Sequence, residues 1–461
     1  MSISPYSNKK IIGIIIISLA ILTSIRCIWI YYYDNRADYA IENGFLNLSD
    51  VQLDKNDIIL LNGEWLFYPE TLLEETKSTE PIKMHVPDTW SSDIDYGTYQ
   101  MQIIIPDEFD HTTMLGLSLK TVESSAKIYV NGELIDEIGT FASTKENFIS
   151  HLKTETTYFI PSDSIIDISI EVANFEDLLP GGIPYSIKFG TQDAIESSIN
   201  FSKGLQLAVF AIMLIHSLYA FSLYLLGRKY YGRELLYFGF LLLFVAFSIV
   251  VDEDRVLYSN FPIDTVWSFR IMFISFAGIT LFMLLLMQKA FSFSHRLTSI
   301  LSLSFIILII LLIFSPESWI PVIRPSVSLL SVIGFILITI FLLKAIRNGK
   351  SEAIYLLIAT IANITNILWG VAINFRIVDF PFYPFDYIVA IMMFSMFLFA
   401  RHNQLVEHSQ KQAEQLRKVD KIKDKFLANT SHELRNPLHG IINITQSVLN
   451  DKKRHLDSGP I

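Results

Sequence analysis

Long apolar runs alternate with polar segments along most of this chain. The first apolar run covers Ile11–Tyr33, and seven more lie between residues 205 and 400. Runs of this kind are typical of helices that cross the hydrocarbon core of a bilayer. The pattern therefore predicts eight spans. The seven later ones are Leu205–Leu226, Leu235–Val251, Val266–Met287, Leu297–Phe314, Val327–Leu343, Ala353–Ile373 and Tyr387–Ala400.

The first span, within residues 1–33, has two interpretations. We favour an uncleaved membrane anchor, because no small-x-small cleavage site follows the apolar run. A signal peptide is the alternative, since Ile11–Ile25 alone resembles its apolar part. Arg26 interrupts the run and is expected to extend toward the outer headgroups. Cys27 is interpreted as a packing residue.

Between the first and second spans, residues 34–200 show short alternating apolar segments separated by turn residues. This period of two is typical of strands with one buried face. Lys127–Ile135 is predicted to form a hairpin, because Asn131 and Gly132 tolerate the positive φ angles of a tight turn. The segment therefore predicts an antiparallel β-sandwich. Its clearest strands are Met101–Ile105, Leu115–Leu119, Ala126–Val130 and Ile165–Val172.

Charge is segregated along the chain, so the formal net charge of −10 is a poor summary of it. Residues 34–200 hold roughly 30 acidic against about 9 basic side chains, whereas the tail from Arg401 leans basic. Alternate loops between the spans are basic, and the positive-inside bias puts them in the cytoplasm. The expected topology is a multi-pass protein of the inner (plasma) membrane, with 34–200 extracytoplasmic and the tail cytoplasmic. The basic residues of these loops are Arg228, Lys229, Arg233, Lys289, Arg296, Lys344, Arg347 and Lys350.

The tail begins with a segment, 402–425, whose apolar residues recur at spacings of three and four. Such spacing favours a dimeric coiled coil over a solvated helix. Leu416, Val419 and Ile422 are three apart, a break in register of the kind that can transmit rotation between helices.

Several motifs of the outer segment occur in an order that resembles a known family. The order is that of the jelly-roll sensor domain of bacterial seven-transmembrane receptors with diverse intracellular signalling modules, which is similar to the sugar-binding domain of some glycoside hydrolases. The resemblance implies an outer carbohydrate or other small ligand. Trp65, Trp90 and Tyr99 would stack on such a ligand, or fill the sandwich core instead. The motifs are Leu61–Pro69, Val86–Trp90, Gly97–Tyr99, Val130–Gly132, Ala173–Phe175 and Gly181–Gly182.

The stretch Phe426–Leu438 resembles the phospho-acceptor box of sensor histidine kinases. The resemblance identifies His432 as the acceptor, and a neutral imidazole is a suitable nucleophile for a γ-phosphate. Glu433 follows it as a candidate general base. Asn436 occupies the position that the family associates with phosphatase activity. Pro437 is expected to bend the helix beside the acceptor.

The family implies ATP and Mg²⁺, which a separate α/β domain binds. After His432 the only glycines are Gly440 and Gly459, too few for a phosphate-cradling loop. We therefore expect 426–461 to be a truncated dimerisation and phospho-acceptor domain. Whether this chain is itself an enzyme stays open, because it is expected to be catalytically incomplete on its own.

Three polar residues within the predicted spans have two interpretations. His216, Asn363 and Asn366 would form a polar relay or ligand contact, or simply hold helices together through hydrogen bonds. Elsewhere, the single cysteine excludes a disulfide framework, and the sequence predicts neither a metal site nor a nucleic-acid partner.

Together these features predict a multidomain membrane protein: an all-β jelly-roll-like outer domain, an α-helical membrane bundle over 201–401, and a helical coiled-coil and phospho-acceptor tail. The leading hypothesis is a sensor histidine kinase of a two-component phosphorelay. Its expected partners are a second copy of the chain, a response regulator or receiver domain, the outer ligand and the lipid bilayer. The alternative is a non-enzymatic receptor or carbohydrate-binding membrane protein that signals through a docking tail. A transporter is a weaker hypothesis, since no inverted repeat is evident.

Overall fold

The structure is a computed structural model, and its chain divides into two compact units, Met1–Phe394 and Ser395–Ile461. The first unit contains a β domain and a helical bundle, and the second is the continuation of one long helix. The residues described are 7–33, 39–51, 53, 57–90, 93–120, 124–152, 154–176, 180–227, 232–261, 263–291, 295–374 and 381–456.

Thirteen short strands lie between the first and second long helices, in the region where alternation predicted them. Three short 3₁₀ helices, Leu73–Ser78, Lys145–Asn147 and Glu317–Trp319, occur in connecting segments. The strands are β1 (Phe45–Asn47), β2 (Ile58–Leu60), β3 (Gly63–Pro69), β4 (Ile82–Val86), β5 (Asp88–Thr89), β6 (Tyr96–Ile104), β7 (Leu115–Leu119), β8 (Ser125–Val130), β9 (Glu133–Ile138), β10 (Glu155–Phe159), β11 (Ile165–Ala173), β12 (Gly182–Ile183) and β13 (Ile187–Thr191).

The strands form two main sheets whose inner faces share one hydrophobic core. The larger sheet has the order β4-β3-β6-β11-β8-β9, with β1 parallel to β6, and the smaller has the order β10-β7-β13-β2. Strands β5 and β12 form a separate pair. Core side chains come from both sheets, for example Ile168 from the larger and Phe189 from the smaller. The domain is therefore β-sandwich-like, as the alternation predicted.

The predicted hairpin is confirmed, because β8 and β9 pair antiparallel around Asn131 and Gly132. Both turn residues have positive φ, 52° and 80°, which is the conformation that Asn-Gly turns favour. A register shift between Ile128 and Tyr129 marks a bulge in this pair.

Nine α-helices make up the rest of the described chain. Eight of them are long and apolar enough to cross a membrane, and they coincide with the eight predicted runs; α4 is too short. The helices are α1 (Asn8–Tyr33), α2 (Gln192–Leu226), α3 (Glu234–Val251), α4 (Val256–Asn260), α5 (Thr265–Phe291), α6 (His295–Phe314), α7 (Ile320–Arg347), α8 (Ala353–Asn374) and α9 (Phe385–Leu456).

Helix α5 lies at the middle of the bundle, where it contacts α3, α6 and α7. Helix α2 packs on α3, α7 packs on α8, and α1 packs on α8. Close packing depends on small residues, since a Cβ on Gly239 would meet the ring of Phe221 at 2.6 Å. Small residues at helix contacts are typical of bundles in membranes.

The β-sandwich is joined to the bundle without a flexible linker. Strand β13 ends at Thr191, and α2 begins at the next residue. The Thr191 hydroxyl caps the new helix by accepting a hydrogen bond from the Ala194 amide at 3.4 Å. Movement of β13 is thereby tied directly to the first residues of α2.

Candidate functional site

The predicted phospho-acceptor residues lie on α9, which runs without interruption from Phe385 to Leu456. The backbone of His432 is helical, and its side chain lies outside the described part of the structure. Glu433 and Asn436 are both exposed. Helix geometry puts Asn436 on the face of His432, one turn further along, and turns Glu433 by about 100° around the axis.

Pro437 lies inside α9 and does not interrupt it. A proline has no backbone N–H, so the carbonyl of Glu433, four residues earlier, lacks its usual helical donor. This carbonyl belongs to the residue that follows His432. Pro437 thus leaves the backbone carbonyl of Glu433 without its helical hydrogen bond, directly beside the candidate phosphoryl acceptor His432, while the helix continues.

One side of the same helix segment is an exposed apolar stripe. Its core, which we call the heptad stripe, consists of Leu427, Leu434, Ile441 and Val448, spaced by seven residues and each 56–64% exposed. A repeat of seven is typical of a helix that packs along a partner helix. The exposed charges of the neighbouring segment form pairs within the helix, such as Lys411 with Glu407 at 2.6 Å.

A second constellation of polar side chains lies inside the bundle, centred on Arg26. The Arg26 side chain is only 2% exposed. Its guanidinium donates to Asp386 Oδ2 at 2.5 Å and to Asn366 Oδ1 at 3.2 Å. It also lies 3.9 Å from the ring centroid of Tyr383 and 5.7 Å from that of Trp369, within reach of cation–π attraction.

The prediction that Arg26 extends toward the headgroups is therefore wrong. A buried carboxylate of opposite charge holds the guanidinium inside the bundle, where leaving either charge unpaired would be costly. The predicted packing role of Cys27 also needs correction, because Cys27 is exposed on α1 and does not face the bundle interior.

The two asparagines singled out in the sequence differ in what they contact. Asn366 accepts from Arg26 and donates to the Tyr387 hydroxyl at 3.1 Å, so it connects α8 with two other helices. Asn363 donates to the carbonyl of Ala359 at 2.9 Å, within its own helix. For Asn366 the contacts agree with the interhelical hydrogen-bonding alternative.

The third polar residue, His216, interacts locally. Its Nδ1 lies 2.8 Å from the carbonyl oxygen of Ile212, one turn earlier on α2. The contact is within one helix and does not bring His216 to either asparagine. It supports no polar relay.

Sequence reasoning missed two buried side chains that cap helix ends. Gln206, which is fully buried, donates to the carbonyls of Ile249 at 2.5 Å and Asp252 at 2.9 Å at the end of α3. Arg270, 7% exposed, does the same for α6. An arginine within an apolar run was the available signal for Arg270. Its acceptors, at 2.7–2.9 Å, are the carbonyls of Leu312, Ile313 and Ser315.

The sandwich contacts the bundle through polar side chains. Lys120 Nζ lies 3.4 Å from Glu253 Oε2, at the end of α3. Ser150 donates to Glu176 Oε1 at 2.7 Å, so Thr265, at the start of α5, is the donor to Ser150 Oγ at 2.6 Å. Burial raises the pKa of Glu176 above its usual range, and the Ser150 hydrogen bond opposes this only partly.

The three aromatic residues predicted as ligand contacts all lie in the sandwich core. Trp65 and Tyr99 are 0% exposed and Trp90 is 5% exposed. Trp90 stacks on Tyr99 with ring centroids 5.9 Å apart, and the Trp65 indole donates to the Leu61 carbonyl at 3.1 Å. Their contacts are those of the packing alternative, and stacking on an outer ligand is excluded while the core stays closed.

Metal-ligating side chains do not converge among the residues described: no group of three or more His, Cys, Asp or Glu is placed to hold an ion.

Two family models match the chain. Residues 202–401 match 7TM diverse intracellular signalling, and residues 422–458 match the His Kinase A (phospho-acceptor) domain. The chain therefore contains a seven-transmembrane signalling domain followed by a histidine-kinase phospho-acceptor domain. This confirms the resemblance proposed from the sequence, and His432 lies within the second match.

Several glycosidases are among the solved structures to which this chain is similar. A Ruminococcus gnavus β-glucuronidase is 12% identical, with a TM-score of 0.24 over 34% of this chain and 30% of its own. A GH2 β-galacturonidase from Eisenbergiella tayi is 15% identical (TM-score 0.23; 30% and 25%), and a Bacteroides uniformis β-glucuronidase is 18% identical (TM-score 0.23; 29% and 18%). The chain thus spans less than a third of these enzymes. No curated protein matches it.

Proposed function

We propose that this protein is the receptor part of a two-component phosphorelay, with His432 as the phosphoryl acceptor. The observation that carries the proposal is the continuity of α9. This helix begins at Phe385, inside the membrane-domain match that ends at residue 401, and it also contains the acceptor box Phe426–Leu438. A change in helix packing would reach His432 through this one helix. Signal transmission then needs no further element between bundle and acceptor.

The chemistry assigned to this segment is transfer of a phosphoryl group to imidazole. A ring nitrogen of His432 forms the N–P bond while the bond to the donor's leaving oxygen breaks. Glu433 would accept the ring proton as general base, and Asn436 would orient water for the reverse, phosphatase reaction. The exposure of Glu433 and Asn436 leaves the helix surface around His432 open to a donor domain and to a response regulator.

The donor, ATP with Mg²⁺, does not fit the described residues of the phospho-acceptor segment. These residues form a single helix up to Leu456, and Gly440 lies within it, so they provide no phosphate-cradling loop. The donor would be bound by an ATP-binding domain other than the segment described. Whether the chain with its donor domain is a protein-histidine kinase is part of the same proposal.

We infer that the sandwich is extracytoplasmic and the tail cytoplasmic. The basic loops support this orientation. Contacts within the first unit agree: Ser202, near the start of α2, donates to Asp254 at 2.5 Å and accepts from the Phe382 amide at 2.9 Å. Asp254 follows Glu253, which contacts Lys120 of the sandwich, and Phe382 comes just before α9. The start of α9 is therefore on the sandwich side of the bundle. A span that starts outside ends inside.

The outer domain would act as the sensor. Its order of motifs supports a jelly roll that binds a carbohydrate or related small molecule. Because α2 begins directly after β13, a conformational change of the sandwich on ligand binding would be passed to the bundle. The ligand contacts would lie on the sandwich surface, because Trp65, Trp90 and Tyr99 are core residues. A second copy of the chain would cover the heptad stripe.

Phosphoryl transfer in trans tests the acceptor. The purified full-length chain is incubated with radiolabelled ATP and the isolated ATP-binding domain of a sensor histidine kinase. We expect acid-labile label on wild type, none on His432→Ala, and undiminished label on His439→Ala. His439 is the matched control, since it is exposed and lies two turns along the same face.

An unlabelled wild type would contradict the proposal and favour the non-enzymatic receptor. Equal label on His432→Ala and wild type would also contradict it, because the acceptor would then be another side chain.

A further inference from the structure

Helix α1 lies outside the part of the chain that matches the seven-transmembrane family, which begins at residue 202. It nevertheless contacts α8 and the segment that leads into α9. The indole of Trp29 donates to the carbonyl of Pro381 at 3.3 Å, and its ring meets that of Phe385 edge-on at 5.5 Å. Helix α1 is therefore integrated into the bundle near the start of α9.

The buried ion pair joins these same two helices. Arg26 belongs to the last third of α1, and Asp386 is the second residue of α9; their side chains are 2% and 1% exposed. A bundle without α1 would leave the Asp386 carboxylate buried without its cation. An uncompensated buried charge costs several kcal/mol, about 3–5 in soluble proteins.

The pair also retains hydrogen-bonding capacity that nothing described uses. Arg26 Nε and Asp386 Oδ1 are buried and lack a partner among the described residues. Unsatisfied buried polar atoms reduce the net stability that the pair provides. Breaking such a contact costs less free energy than breaking a fully hydrogen-bonded ion pair. A weaker contact is expected at the start of α9, if this helix moves during signalling.

From this geometry we propose that α1 is retained as an eighth helix of the membrane domain, and that the Arg26–Asp386 pair fixes the start of the signalling helix α9 against it. The pair is a positioning device, since neither residue lies near the acceptor box. Because α9 is one continuous helix, a change in its orientation at Phe385 would be passed along the helix to the segment that contains His432.

Retention of α1 is tested with the native cysteine. Cys27, exposed on α1, is the only cysteine in the sequence. The protein is expressed with a C-terminal tag, purified from membranes, denatured and treated with a fluorescent maleimide. We expect one label per chain, and none on Cys27→Ser. An unlabelled wild-type chain would mean that α1 has been cleaved off, which would overturn the proposal.

The positioning role is tested by the distance between α1 and α9. Spin labels are placed on Cys27 and on Met392→Cys, a position on α9 that is 53% exposed. Double electron–electron resonance should give a narrow distribution of distances between the two labels when Arg26 and Asp386 are both present. We expect Asp386→Asn to broaden or shift it, because the near-isosteric amide keeps the packing and removes the anion.

Two further variants separate positioning from general destabilisation. The charge swap Arg26→Asp with Asp386→Arg should restore the narrow distribution. Arg270→Met removes a different buried arginine, one that caps α6, and should leave the α1–α9 distance unchanged. An unaltered distribution in Asp386→Asn, or a swap that fails to restore it, would overturn the proposal. The measurement needs no phosphoryl transfer, so its result is independent of the acceptor assignment.

Discussion

At the scale of single residues, the bundle holds two buried arginines that are neutralised in different ways. Arg26 meets a carboxylate from another helix, whereas Arg270 meets the partial negative charge of carbonyls at the end of α6. Both arrangements compensate the charge of a cation inside the apolar bundle. The first connects two helices by charge, and the second supplies donors to carbonyls at the end of α6.

We expect Arg270→Met to destabilise the protein without affecting the acceptor chemistry. The substitution keeps an apolar side chain of similar length and leaves three buried carbonyls without their donor. Hydrogen bonds to charged groups contribute about 1.5–3 kcal/mol each, so the loss of three should lower the free energy of unfolding by at least about 3 kcal/mol. Thermal unfolding in detergent would measure it as a lowered Tm.

Lys289→Met is the control for Arg270→Met. Lys289 is a cation on the same helix, α5, but it is exposed. Its replacement should leave the Tm within error of wild type. Equal Tm values for Arg270→Met and wild type would contradict the capping role.

Residue roles inside the bundle were the least predictable part of this protein. Arg26 is separated from Asp386 by 360 positions in the sequence, so local hydropathy gives no sign of the pair. Within an isolated helix, an extension toward the headgroups is the favourable solution for an arginine. The packing of α1 against α8 and α9 instead provides a buried partner for Arg26, the carboxylate of Asp386. Similarly, an aromatic residue has the same sequence pattern in a core as on a binding surface.

At the scale of elements, periodicity predicted the strands and the long helices well. Period-two alternation and the Asn-Gly turn are local signals, and so is an apolar run long enough for a span. The junction between span and tail was less apparent. Composition changes from apolar to polar at Arg401, yet no Gly or Pro occurs between Phe385 and Asn436, so α9 continues through the change.

We expect Leu434→Glu to weaken self-association of the full-length chain. The substitution puts a carboxylate in the heptad stripe, where a partner helix would bury it, and burying an unpaired charge is strongly unfavourable. The dimer dissociation constant should rise at least tenfold, or about 1.4 kcal/mol. Light scattering coupled to size-exclusion chromatography in detergent would report it.

The control for Leu434→Glu is Gln446→Glu, which adds the same charge to an exposed position outside the heptad stripe. It should associate like wild type. A Leu434→Glu variant that dimerises as tightly as wild type would show that this stripe is not the interface.

At the scale of the whole molecule, the contacts of the first unit constrain the order in which the helices cross the membrane. The sandwich meets the end of α3 through Lys120 and the start of α5 through Ser150. Arg270 then connects the start of α5 to the end of α6. These helix ends therefore share one side of the bundle, which agrees with the alternation of acidic and basic loops.

The proposed topology predicts which side of the membrane each exposed loop faces. In a Cys27→Ser background, Ser143→Cys in the sandwich and Ser318→Cys between α6 and α7 should react with a membrane-impermeant maleimide on sealed spheroplasts. Asn348→Cys, after α7, and Ser409→Cys, in the tail, should react only after lysis. All four positions are exposed, so equal labelling in lysed membranes controls for reactivity. Labelling of Ser409→Cys on sealed spheroplasts would reverse the assignment, because the acceptor helix would then lie on the side without cytoplasmic ATP.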